Sequence, residues 1–145
     1  MSVHTRLLAL ASTVVLVSGL GSGLAVGPVA AAPAIPLNGG QEPAGGDTNG
    51  HGFFTYTIDG TTFCWTVSWK KIDEPSAGHV HVAPRQQAGD VVIDLDADGV
   101  GGPDRSGCRT ISSELAAAIT ADPKAYYVNL HNSAFPAGAI RGQLK

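Results

Sequence analysis

The amino-acid sequence predicts an all-β fold, a Greek-key β-sandwich with one short crossover helix. Residues 51–69 alternate large apolar and polar side chains about Asp59-Gly60, a dipeptide suited to a tight hairpin turn. About seven short runs rich in β-branched and aromatic residues follow one another between turn residues. Only Ser112 to Ile119 carries helix signals.

The elements follow in order. Ala32 to Gly50 is rich in Pro, Gly and Ala, with Ile35 to Leu37 as a candidate edge strand. In the first clear strand Phe54, Tyr56 and Ile58 share a face. Phe63, Trp65, Val67 and Trp69 share one in its hairpin partner, with Cys64 on the opposite face. His79 to Ala83 and Val91 to Ile93 read as strands flanking a loop, and Asp94 to Gly107 as an acidic, Gly-rich loop. Ser112 is placed as the N-cap of an Ala-rich helix with an acid in its first turn, ending before Pro123. Tyr126 to His131 and Ala139 to Leu144 are the last strands.

Residues 1–31 read as an export signal rather than fold. Arg6 precedes an apolar run from Leu7 to Val17, and Val29-Ala30-Ala31 offers a small-residue cleavage pattern. The apolar run is short for a membrane span. A secreted or extracytoplasmic mature chain of residues 32–145, without a membrane span, is therefore expected. Removing Arg6 leaves eight of the nine basic residues against twelve acidic ones. Lys70-Lys71 is the longest basic cluster, so no nucleic-acid partner is expected. Of two cysteines, Cys64 and Cys108, one pairing exists, and an exported chain favours it as a disulfide.

Three histidines fall on two of the predicted strands. His79 and His81, two residues apart on an extended backbone, point to one face, while Val80 and Val82 take the other. Paired imidazoles suit copper or zinc, and His131, sharing its face with Tyr127 and Asn129, supplies a third ligand if its strand is adjacent. The competing reading has these rings bonded to backbone or to Asn129 at a sheet edge. His51 is a more distant candidate ligand. Asp94, Asp96 and Asp98 before Gly99 match the start of a calcium loop, but Arg105 stands where the bidentate acid belongs, which favours a solvated turn. Arg141 is expected to make a structural hydrogen bond or an ion pair with Asp73 or Glu74. No serine elbow, free thiol or paired strand carboxylates point to a catalytic class.

Several motifs in order resemble the CHRD (chordin-type) domain family. They are Leu37-Asn38-Gly39-Gly40-Gln41-Glu42-Pro43, Gly50-His51-Gly52-Phe53, His79-Val80-His81, Tyr127-Val128-Asn129-Leu130-His131 and Gly138-Ala139-Ile140-Arg141-Gly142-Gln143-Leu144. The chain departs from the family pattern at Ala139, where a Glu is usual, in the turn 83–90, and in its cysteine pair. The resemblance implies an extracellular binding or structural module whose partner, a protein, polysaccharide or metal ion, it does not name. His79-Val80-His81 is also similar to the copper-binding strand of copper/zinc superoxide dismutases. That likeness implies an immunoglobulin-like or superoxide-dismutase-like sandwich and leaves open whether the protein is an enzyme.

Overall fold

The computed structural model describes residues 33–96 and 105–145. Among the described residues, eight antiparallel strands and one α-helix make an all-β fold with a short helix, as expected. The strands are β1 (Ile35–Asn38), β2 (His51–Asp59), β3 (Thr62–Lys70), β4 (Ala77–Val82), β5 (Asp90–Asp94), β6 (Ser106–Thr110), β7 (Tyr126–His131) and β8 (Ile140–Gln143). Helix α1 spans Ser113–Ala121. Hydrogen bonding joins the strands into one sheet, ordered β5-β4-β7-β8-β1-β2-β3-β6, so β5 and β6 are its two edges.

The sheet curls into two halves that share one core. A single register pair, Asn38 with Arg141, links β1 to β8. Val80, Ile93, Val128 and Leu130 on one side of that link pack in the same buried cluster as Phe54, Phe63, Trp65 and Val67 on the other. Close approach at the link requires Gly142, because a Cβ there would stand 2.7 Å from Ile35 Cγ2, Leu37 Cδ2 and the Pro36 carbonyl. The connections β3–β4, β5–β6 and β6–α1–β7 each pass from one half to the other.

Local chemistry accounts for most elements. The hairpin turns through Gly60-Thr61, one residue later than Asp59-Gly60, with Gly60 supplying the positive φ of 58°. Its alternation places Phe63, Trp65 and Val67 in the core, whereas Phe53 is 56 % exposed. Helix α1 begins where Ser112 Oγ accepts from the Leu115 N–H at 3.1 Å, and it stops before Pro123. Strand β6 falls partly in the segment read as loop. Ser-Gly-Cys-Arg-Thr has no apolar alternation, and the strand forms because Cys108 pairs in register with Cys64 of β3. The two are joined in a disulfide, as expected.

Residues 1–31, the expected export signal, lie outside the described residues. Among the described residues, no helix is long and apolar enough to cross a membrane. Asp98 and Gly99 of the calcium-like segment also lie outside. Asp94 Oδ1 accepts from the Asp96 N–H at 2.9 Å, and the Asp96 carbonyl accepts from Arg109.

Candidate metal centre

The face of the sheet opposite the core carries a layer of polar side chains. Strand β4 lies antiparallel to β7, with His79 opposite Asn129, His81 opposite Tyr127 and Ala77 opposite His131. His131 is therefore the diagonal neighbour of His79, on the same face. His79, His81 and His131 converge, each offering one nitrogen within 4.8 Å of the others. Ring centroids lie 5.5 Å apart for His79–His81, 5.1 Å for His79–His131 and 6.1 Å for His81–His131. His51 on β2 bonds Asn49 O at 3.1 Å and is not a member of this group.

Backbone carbonyls select the tautomers. A carbonyl only accepts, so His81 Nδ1 donates to Gly89 O at 2.9 Å and His131 Nδ1 donates to Pro136 O at 3.1 Å. Both rings are left with a free lone pair on Nε2. His131 Nε2 accepts from the His79 Nδ1–H at 3.2 Å, whereas His81 Nε2 is buried. The Pro136 carbonyl is presented by a tight turn in which Asn132 Oδ1 accepts from the Phe135 N–H at 2.9 Å. Burial, reinforced at His79 and His131 by neighbouring histidines, holds all three imidazoles below their usual range. They stand ready as neutral nitrogen donors.

An ion bound by nitrogens at about 2.1 Å admits two donors no farther apart than ~4.2 Å, and ~3.4 Å in a tetrahedron. The His79–His131 pair, at 3.2 Å, meets this spacing once the proton between the two rings is released or moved to His79 Nε2, and a pair at 4.8 Å must close by about 0.6–1.4 Å, within reach of side-chain rotation.

Beneath the histidines lies a support that the sequence reading did not assemble. Tyr127 stacks on His81 at 4.7 Å and 3°, and the Arg141 guanidinium covers the Tyr127 ring at 3.3 Å. Arg141 is only 1 % exposed. It donates to Gln87 O at 2.7 Å, Pro84 O at 3.0 Å and Gln143 Oε1 at 3.3 Å. These loop carbonyls replace the Asp73 or Glu74 partner that was expected. Its acidic neighbour is Glu42, whose carboxyl burial pushes up to about 7 despite the opposing effects of Arg141 and a hydrogen bond from Asn129. Asn129 lies between Glu42 and His81, hydrogen-bonded to Glu42 on one side and to His81 on the other. Glu42 sits in the motif Gln41-Glu42-Pro43, but nothing in one sequence ties that turn to β7.

The fold and this site define a disulfide-linked all-β domain with a polar, histidine-bearing face under its loops. The model of the CHRD domain family matches residues 34–144, so the chain belongs to that family. No curated protein and no solved structure matches the chain. CHRD domains occur in extracellular proteins, and the Cys64–Cys108 bridge is compatible with secretion.

Proposed function

We propose that this CHRD domain is an exported module, released by cleavage after residue 31, that binds one copper or zinc ion through His79, His81 and His131. The observation that carries the reading is the convergence of three imidazoles, each with one nitrogen within 4.8 Å of the others, with His81 oriented by the Gly89 carbonyl. A metal-ligating imidazole characteristically donates its other N–H to such an acceptor, which sets the tautomer and the ring angle.

Titration of the purified protein with Cu²⁺ and Zn²⁺ tests the reading. One ion binds per chain, copper produces a visible absorption band, and the His79→Ala/His81→Ala variant loses both. At a free ion concentration a hundred times the dissociation constant, binding stabilises the fold by about 2.7 kcal/mol. For a domain of this size that raises the thermal midpoint by ~10 °C. Unchanged binding in the double variant removes the proposal.

A further inference from the structure

A second cavity lies where β1, β8, the turn before β7 and the 83–89 loop meet. Its volume is about 600 Å³, and Arg85, Lys124 and Lys145 line it beside an apolar surface presented by Pro36. Among the described residues that line it, none is acidic. That is unexpected for a chain with formal net charge −3. Three cations around one basin repel one another and create a local positive potential, which an anionic ligand relieves.

The cations are held by the fold. A single amide fixes two of the segments that carry them: Gln143 Nε2 donates to Ala83 O and to Lys124 O, each at 2.7 Å. Gln86 Nε2 donates to Gly40 O at 3.2 Å and pins the far side of the Arg85 loop. The backbone spacing of Arg85 and Lys124 is thereby set before any ligand arrives, which reduces the loop-ordering part of the cost of binding.

We infer that this basin binds an acidic polysaccharide, with uronate carboxylates on Arg85 and Lys124 and a sugar ring over the apolar surface of Pro36. The size suits one or two sugar residues. Amide side chains at Asn38 and Gln41 match hydroxyl groups, and no aromatic ring lines the cavity to stack a nucleic-acid base. The inference is independent of the histidine site and requires no metal.

Calorimetric titration of the domain in chelator with oligogalacturonate, neutral maltohexaose, inorganic phosphate and single-stranded DNA tests it. Oligogalacturonate binds, and its affinity falls at least about threefold when salt is raised from low to physiological strength. The Arg85→Ala/Lys124→Ala variant weakens it by about tenfold or more, while maltohexaose does not bind. Both side chains are exposed, so the variant keeps the wild-type thermal midpoint. No binding at millimolar oligogalacturonate, or equal binding by the variant, overturns the inference. So does phosphate or DNA binding as tightly as the glycan. Because the titration contains chelator, loss of copper binding elsewhere leaves its outcome unaffected.

Discussion

Replacing Arg141 tests the support beneath the histidines most directly. The guanidinium makes three hydrogen bonds and a ring stack while almost wholly buried. Charged hydrogen bonds contribute about 1.5–3 kcal/mol each and a desolvated cation–ring contact about 2 kcal/mol, but contacts of one group do not add. Breaking a buried charged network costs about 3–5 kcal/mol. A domain of this size shifts its midpoint by about 4 °C per kcal/mol. Thermal unfolding in chelator is therefore expected to show Arg141→Ala lowered by ~12–20 °C. Arg141→Lys keeps the charge but lacks the fork and the flat face, and recovers less than about half. The same loss frees the 83–89 loop, whose Gly89 carbonyl orients His81, so metal affinity falls by about 10–100-fold. A drop under about 5 °C for alanine, or wild-type behaviour of the lysine variant, would refute this reasoning.

Reducing Cys64–Cys108, or replacing both by serine, opens a loop with sequence separation 44 and favours the unfolded chain by about 4 kcal/mol. A midpoint lower by ~15 °C is expected, with β6 amides exchanging first; an unchanged midpoint contradicts it. Glu42 titrates near 7 when folded and near 4.5 when unfolded, so between those values the folded chain holds the extra proton and stability declines as pH rises. Glu42→Gln removes that decline. Its midpoint advantage over wild type grows from pH 4.5 to 7 and then levels off, whereas a difference constant with pH counts against it. The histidines act with opposite sign. Their folded pKa values lie below 6.5, so their contribution to apo-protein stability is flat above that value and falls as pH drops beneath it. His79→Gln/His131→Gln flattens the acid slope, and a slope left intact argues against these rings as its source.

How much was legible depends on where the information lies. The alternation of Phe63, Trp65 and Val67 states its own burial, because each apolar residue belongs to one face of one strand. His79 and His81 likewise declare a common face through their spacing. The adjacency of His131 depends on β7 crossing back to pair with β4, and a strand's neighbour is chosen by the whole topology. Glu42, Tyr127 and Arg141 come from three distant segments that meet only after that choice is made. Strand β6 was missed for a related reason. Its residues have little preference of their own, and the partner strand imposes the conformation.

The edges of the sheet bear on how the chain avoids associating with copies of itself. At one end, β5 is Asp90-Val91-Val92-Ile93-Asp94, an apolar triplet with Val91 half exposed, the sort of ribbon on which copies of a chain could stack. Two such ribbons laid head to tail about Val92 would set Asp90 of each against Asp94 of the other. The flanking carboxylates act as gatekeepers that oppose this self-assembly.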